Sequence, residues 1–160
     1  MNPRGSFIIY KEVKIMDIWE KMYIEAKKEY HPEEVSPFID AHHVVSAVQS
    51  EKSGKIYTGF CIESASGVMN LCAERVAALN MYINEGNTVI KRLIAFRDAP
   101  PKNGGMPCGA CREFLMQLSY ENRNMEILTD YETRSTILLK DTLPNWWGDK
   151  RYNNKEQSNK

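Results

Sequence analysis

Three of the four cysteines in this 160-residue chain stand where two helices are predicted to begin, and this arrangement constrains the fold more than any other feature of the sequence. Cys72 lies near the start of the helix predicted over residues 70–82. Cys108 and Cys111 form a C-x-x-C motif at the start of the helix predicted over residues 108–120. A metal ion shared by these cysteines requires the two helix starts to meet in the fold.

The three cysteines predict an open zinc site. Thiolates suit zinc, and three protein ligands leave the fourth tetrahedral position free for water. The unpaired N–H groups and the positive dipole end of a helix N-terminus also favour thiolate over thiol. Three thiolates and one Zn²⁺ keep a net negative charge, so we expect a compensating cation nearby. Arg75 and Arg112, each beside a candidate ligand in the sequence, are the candidates.

Glu74 follows Cys72 by two residues and adds a proton-transfer group to the predicted zinc site. A carboxylate beside such a site can take a proton from water and return it to a ring nitrogen or a leaving amine. A single Glu on a helix is usually a solvated carboxylate, but its place in the motif C-A-E favours a catalytic role. The combination predicts hydrolytic deamination.

Two other interpretations of the cysteines stay open at this point. A C-x-x-C motif in a reducing cytosol can be a redox dithiol, although such motifs ordinarily lie in a βαβ unit near the N-terminus. Alternatively, Cys61 could close a structural zinc site with four cysteines. Either interpretation would make the chain a dithiol or zinc interaction module rather than an enzyme.

The rest of the chain predicts alternating helices and strands. Helical spacing indicates a first helix over residues 17–30, and Ser53-Gly54 has the turn chemistry of a β-hairpin. Asn70 can cap the second helix and Gly86 can end it. This order favours an α/β fold, a three-layer α/β/α sandwich around a mixed sheet of about five strands. The predicted strands are residues 42–49, 55–63, 88–96, 125–130 and 135–140.

The composition predicts one domain over residues 1–160, with 42% hydrophobic and 26% charged residues. The chain has 21 Lys+Arg and 21 Asp+Glu, so its formal charges cancel. The lack of a basic excess argues against a nucleic-acid partner. No apolar run approaches the roughly 18–20 residues of a membrane span, and residues 7–10 lack the pattern of a secretion signal, so we expect a cytoplasmic protein. Residues 1–16 are predicted to be an extension, and residues 148–160 a polar tail that frays from Arg151.

The cysteine motifs resemble the signature of the cytidine deaminase superfamily, C/H-x-E followed by P-C-x-x-C. The motifs C-A-E at 72–74 and P-C-G-A-C-R at 107–112 carry this resemblance. Residues 58–79 are similar to the branch that acts on free nucleosides with three cysteine ligands, and the resemblance extends over residues 17–147. It implies bound Zn²⁺, a small-molecule cytosine nucleoside as substrate, and a homo-oligomer, either a tetramer or a dimer.

The same resemblance implies roles for further residues. The backbones of Ala73 and Pro107 would contact the polar edge of the pyrimidine. Arg75 would donate hydrogen bonds to the ligand sulfurs, and Glu63 would bind the ribose hydroxyls. Trp147 would reach a neighbouring subunit's site, although it could equally anchor a core or an interface.

Two departures from the family pattern concern the substrate. Cys61 stands where the family has Asn, and a thiol is a poorer partner for a sugar hydroxyl. His43 stands where the family has Phe against the cytosine ring, although a shift to His42 stays open. The blasticidin S deaminases also alter this sugar-binding element, but they lose the Glu that this chain keeps as Glu63. We therefore expect cytidine or deoxycytidine, with a modified nucleoside such as blasticidin S as the alternative.

Overall fold

The computed structural model describes residues 15–158, which form four α-helices and six β-strands. Residues 1–14 of the predicted extension, with the apolar patch at 7–10, lie outside the described residues. None of the helices within residues 15–158 is long and apolar enough to cross a bilayer. In chain order the elements are α1 (Ile18–Lys27), β1 (Glu33–Ser36), β2 (Ile39–Ser50), β3 (Ile56–Ser64), α2 (Ala73–Glu85), β4 (Ile90–Phe96), α3 (Gly109–Leu118), β5 (Glu126–Asp130), β6 (Ser135–Leu138) and α4 (Asp149–Ser158).

The six strands form one mixed sheet with β2 near its centre. Strand β3 pairs antiparallel with one edge of β2, while β1 and β4 pair antiparallel with successive parts of the other edge. Strand β5 runs parallel to β4 and antiparallel to β6. The α/β prediction is confirmed, and the strand beyond the expected five is β1, whose sequence EEVS gives no apolar alternation. Gly54, at φ 73°, forms the turn of the predicted hairpin.

Two helical layers cover opposite faces of the sheet, which gives the predicted three-layer sandwich. Helix α1 packs on one face through Trp19, Met22 and Ala26. Helices α2 and α3 pack on the other face, where Met81 and Leu115 are fully buried. Neighbouring residues of each inner strand alternate between the two layers, as a period of two requires. The α1 side receives Val45, Ile94 and Leu128, and the α2–α3 side receives Val48, Leu93 and Ile127.

Helix α2 begins three residues later than the predicted cap at Asn70. The side chain of Asn70 instead accepts a hydrogen bond from the backbone N–H of Ser64, at 2.6 Å, and so ties the preceding loop to β3. The N-cap position belongs to Cys72, and Gly86 ends the helix at φ 64°, as predicted. Cys108 is likewise the N-cap of α3.

Residues 149–158 of the predicted polar tail are helical, which corrects the prediction that the chain frays from Arg151. Helix α4 begins at Asp149 and is held by Tyr152, whose ring stacks on Tyr120 with centroids 4.6 Å apart. The Tyr152 hydroxyl also donates to the backbone carbonyl of Gln117, at 3.1 Å. A single aromatic residue in a polar segment gives no apolar periodicity, so the sequence pattern does not reveal this helix.

Gly59 sets the distance between β3 and α2. A Cβ at this position would stand 2.4 Å from the backbone nitrogen of Ala77 and 2.6 Å from the carbonyl oxygen of Ala73. Backbone atoms cannot rotate away, so only glycine permits this approach. The first turn of α2, which carries Cys72 at its cap and Glu74, is therefore positioned by contact with the sheet.

Substitution Gly59→Ala should force α2 away from β3 and lower the free energy of unfolding by about 1–3 kcal/mol, as overpacking of a close contact does. Gly67→Ala is the matched control, because a Cβ at Gly67 meets nothing within 4 Å. Urea denaturation of both variants measures the difference. Equal stability of the two variants would contradict this account of the packing.

Candidate metal centre

The cysteine cluster forms where the N-termini of α2 and α3 meet. Cys72 and Cys108, the two N-caps, place their Sγ atoms 3.8 Å apart. Cys111 lies one helical turn after Cys108 and is buried. The three Sγ atoms lie within 4.8 Å of one another, so the structure brings together the ligand set that the sequence predicts.

This donor set fits zinc. Two sulfurs at about 2.3 Å from one tetrahedral ion stand about 3.8 Å apart, which matches the separation of the Cys72 and Cys108 sulfurs. Cys61 does not join this cluster but lies in a separate group with His43 and Glu63. Within residues 15–158 the cluster therefore has three protein ligands, as an open site has, rather than the four of a closed structural site.

Arg75 provides a positive charge next to the cluster. Its Nη2 atom stands 3.7 Å from the Cys72 sulfur and donates to the backbone carbonyl of Asn70 at 3.1 Å. The hydrogen bond to Cys72 raises the pKa of Arg75, so the guanidinium stays charged. The other predicted cation, Arg112, donates instead to the backbone carbonyl of Thr142, at 3.4 Å. Of the two arginines, Arg75 is the one that contacts a sulfur in the described part of the chain.

Glu74 lies in the first turn of α2 and is 6% exposed. Its Oε2 atom is 3.8 Å from the Cys111 sulfur. Burial raises the pKa of the Glu74 carboxyl, and the nearby Arg75 charge opposes part of this rise. Burial also raises the pKa of the Cys111 thiol. A cation at the cluster would offset both effects, because it favours the charged forms of carboxyl and thiol.

A cavity of 380 Å³ gives access to Glu74. Its inner wall includes Val44 of β2 and Phe96 at the end of β4. The loop between β4 and α3 forms much of the remaining wall. This segment is rich in Pro and Gly and leads directly into Pro107 and Cys108. Because the loop is directly followed by the metal-ligand motif, the sequence could have indicated that the loop lies next to the metal site.

A second polar group lies on β2 and β3. The Nε2 atom of His43 is 3.0 Å from Oε2 of Glu63. Cys61 is 4% exposed, and its sulfur accepts the backbone N–H of Val44 at 3.2 Å. The isolated bridge between Ile62 and Leu71 fixes this part of β3 to the segment just before the metal-ligand motif.

A bulge in β2 separates the roles of the two neighbouring histidines. The register against β3 shifts between Ala41 and Val45, and His42 takes a left-handed φ of 64°. The His42 ring is stacked on Phe60 and is 8% exposed. His43 is therefore the histidine that contacts Glu63.

Ala73, Pro107 and Trp147 are the remaining residues with predicted roles in the site. The first two are next to a ligand cysteine in the sequence, whereas Trp147 is not. Ala73 is the first residue of α2 and Pro107 immediately precedes Cys108, so both backbones flank metal-ligand positions. Trp147 is 59% exposed, and its indole N–H donates to Oε1 of Glu113 on α3 at 2.7 Å. In the described part of the chain, neither Trp147 nor the pair His43 and Glu63 lines the cavity at Glu74, and Glu63 lines a separate cavity with residues of β1 and β2.

Curated relatives match part of the chain. No protein-family model matches it. A Dictyostelium discoideum protein named "Probable cytidine deaminase" is 34% identical over 97 residues, which cover 61% of this chain and 62% of that protein. The cytidine deaminase of Halalkalibacterium halodurans is 35% identical over 74 residues, which cover 46% of this chain and 54% of that protein. The chain thus matches between about half and three fifths of the length of these relatives.

Solved structures match most of the chain. The crystal structure of cytidine deaminase from Mycobacterium tuberculosis superposes with a TM-score of 0.61 at 25% identity, over 82% of this chain and 98% of that chain. The cytidine deaminase from Burkholderia pseudomallei superposes with a TM-score of 0.56 at 25% identity, over 78% of this chain and 95% of that chain. The structural similarity therefore extends over about four fifths of this chain.

We predict one zinc ion per chain in the purified protein, measured by inductively coupled plasma mass spectrometry. Serine at position 72, 108 or 111 replaces a soft thiolate ligand, so Cys72→Ser, Cys108→Ser and Cys111→Ser should each lower the zinc content well below one. Cys61→Ser is the matched control and should keep its zinc. Loss of zinc in Cys61→Ser, or a metal-free protein with a reversible Cys108–Cys111 disulfide, would contradict the open zinc site.

Proposed function

We propose that this chain is a member of the cytidine deaminase superfamily and a zinc-dependent hydrolytic deaminase of cytidine or deoxycytidine, because curated relatives, solved structures and the cysteine cluster all support this family. Its products would be the corresponding uridine nucleoside and ammonia. The observation that carries the proposal is the juxtaposition of Cys72, Cys108 and Cys111 with the buried carboxylate of Glu74 at a cavity.

The proposed chemistry assigns a separate task to each group at the cluster. Cys72, Cys108 and Cys111 would hold the zinc ion, and Arg75 would offset the negative charge of their thiolates. When bound, zinc supplies a Lewis acid that makes water acidic enough to lose a proton near neutral pH. The exclusion of solvent around Glu74 strengthens its electrostatic interactions with the substrate.

Glu74 would carry the proton transfers of the reaction. Its carboxylate would accept a proton from the attacking water and deliver it to N3 of the pyrimidine while the new oxygen–carbon bond forms at C4. It would then deliver the second water proton to the exocyclic nitrogen. The carbon–nitrogen bond breaks, ammonia leaves, and the 4-oxo ring remains.

The groups that flank the cluster would orient the nucleoside. The backbones of Ala73 and Pro107 would contact the polar edge of the base, because each adjoins a ligand cysteine. Glu63 would accept a hydrogen bond from a sugar hydroxyl, and His43 would hold its carboxylate through the 3.0 Å contact.

A modified cytosine nucleoside, of the kind represented by blasticidin S, is the second candidate substrate. The buried Cys61 sulfur already accepts the N–H of Val44, so it offers a sugar little further hydrogen bonding. His43 occupies one oxygen of Glu63. In place of two side chains free to bind sugar hydroxyls, this part of β2 and β3 therefore presents a histidine–carboxylate pair.

We also propose that the enzyme is a cytoplasmic homo-oligomer, a tetramer or a dimer, in which Trp147 contacts a neighbouring subunit. Large apolar side chains on the surface support an interface: Val68 is 92% exposed, and Met69, Ile83 and Trp147 are also exposed. All four cysteines are free thiols, which fits a reducing compartment. The balanced charge supports a small-molecule partner rather than nucleic acid.

Glu74→Gln should keep the zinc ion and lower kcat for cytidine about 10²- to 10⁴-fold, since an amide cannot accept and return the proton. Spectrophotometric loss of cytidine and ammonia release measure turnover, and metal analysis measures zinc. Glu132→Gln, at an exposed turn position, is the control with the same change of charge. Retained activity in zinc-loaded Glu74→Gln would rule out its role as the proton shuttle.

His43→Ala should raise KM for the nucleoside roughly fivefold while kcat changes less, because Glu63 loses the hydrogen bond that orients it. Lys52→Ala, at an exposed turn position, is the control. Steady-state kinetics separate the two constants. A fall in kcat with KM unchanged would contradict a role in sugar binding.

Size-exclusion chromatography with light scattering should give a mass of two or four chains of 18.5 kDa. Trp147→Ala should shift the protein toward smaller species, because a large apolar contact is lost. Tyr82→Ala, an exposed residue of α2, serves as a second position for comparison. A monomer at micromolar concentration in the wild type would contradict the proposed assembly.

A further inference from the structure

The mouth of the Glu74 cavity carries two positive charges. Arg97 and Lys102, both exposed, line it together with Asn103 and backbone of the β4–α3 loop. Among residues 15–158 neither cation forms an ion pair. Glu74 is the only carboxylate residue among those that line the cavity, and it is buried.

The single acidic residue of the loop does not neutralise these cations. Asp98 pairs with Lys27 of α1, whose Nζ atom lies 3.3 Å from its carboxylate and also donates to its backbone carbonyl. The Asp98 carboxylate therefore contacts Lys27 and, among the described residues, forms no ion pair with Arg97 or Lys102. The charge of Arg97, the neighbouring residue, is therefore free to act on a molecule in the cavity.

The loop is anchored on both sides of Lys102. The backbone N–H of Tyr131 donates to the carbonyl of Pro101 at 2.8 Å. The N–H of Asn103 donates to the carboxylate of Asp130 at 3.3 Å, and the N–H of Gly104 donates to the carbonyl of Thr129 at 3.0 Å. Because these bonds tie the loop to the end of β5, the Lys102 backbone has a fixed place at the mouth of the cavity.

We propose that Arg97 and Lys102 form a subsite for an anionic group of the substrate, a phosphate or a carboxylate. This inference rests on the proposed function and narrows its substrate class to cytosine nucleosides that carry such a group. Guanidinium and ammonium groups form charge-assisted hydrogen bonds with phosphate and carboxylate. Positive charges at the mouth of a cavity also raise the local concentration of negatively charged ligands.

The distribution of charge also fixes the orientation of such a substrate. The buried Glu74 carboxylate makes the inner end of the cavity unfavourable for an anion. The neutral base can enter this end, while the anionic group stays at Arg97 and Lys102. The cavity volume of 380 Å³ lies within the range of sites for ligands of this size.

The test compares cytidine, cytidine 5′-monophosphate and the cytidine analogue with a 5′-carboxylate. The zinc-loaded wild type should show kcat/KM at least about tenfold higher for an anionic compound than for cytidine, since charge-assisted hydrogen bonds form only with the former. Comparing kcat/KM for the two anionic compounds shows whether the subsite prefers phosphate or carboxylate. Zinc-loaded Glu74→Gln protein, which should turn over the ligands far more slowly, should bind the anionic compounds with lower Kd than cytidine, as measured by calorimetry.

The double variant Arg97→Gln/Lys102→Gln should lose the preference for the anionic compounds and keep kcat/KM for cytidine within about threefold. Lys21→Gln, an exposed residue of α1 with the same change of charge, should keep the preference. Equal kcat/KM for all three compounds in the wild type would overturn the subsite and leave the proposed deaminase standing. An equal fall in kcat/KM for cytidine and for the anionic compounds in the double variant would also overturn the proposed subsite. No turnover of any compound would instead contradict the proposed function.

Discussion

The contact of β3 with α2 is the constraint on which the site depends. Gly59 lets the strand approach the backbone of Ala73 and Ala77 more closely than any side chain allows. Once α2 lies this close to the sheet, its first turn has a fixed position relative to α3. The two N-cap cysteines then stand 3.8 Å apart, and Glu74 lies at the inner end of the cavity.

Electrostatics explains why ionisable groups can be buried here. A buried carboxyl and a buried thiol each resist ionisation, and burial raises the pKa of both Glu74 and Cys111. Arg75 stabilises negative charge at the Cys72 sulfur, and a divalent ion would complete the compensation. The same helix N-termini that position the ligands also favour thiolate, so geometry and charge support the same donor set.

Each half of the metal cluster could be predicted from the sequence because the spacing of its residues is local. The spacing of Cys108 and Cys111 follows one helical turn, and Cys72 and Glu74 are separated by a single residue. The features that the sequence did not reveal depend on contacts outside the helix or strand in which each residue lies. Asn70 bonds to β3 instead of capping a helix, and α4 forms because Tyr152 packs against residues of a remote segment. The β2 bulge and the cavity wall at the β4–α3 loop are likewise products of tertiary packing.

The central claim is that the chain holds zinc through three sulfurs and leaves one coordination position open. X-ray absorption spectroscopy at the zinc edge of the full-length, zinc-loaded protein tests this claim most directly. The account predicts three sulfur ligands at about 2.3 Å and one lighter oxygen or nitrogen ligand. Four sulfur ligands would contradict it, because the site would then be closed and structural.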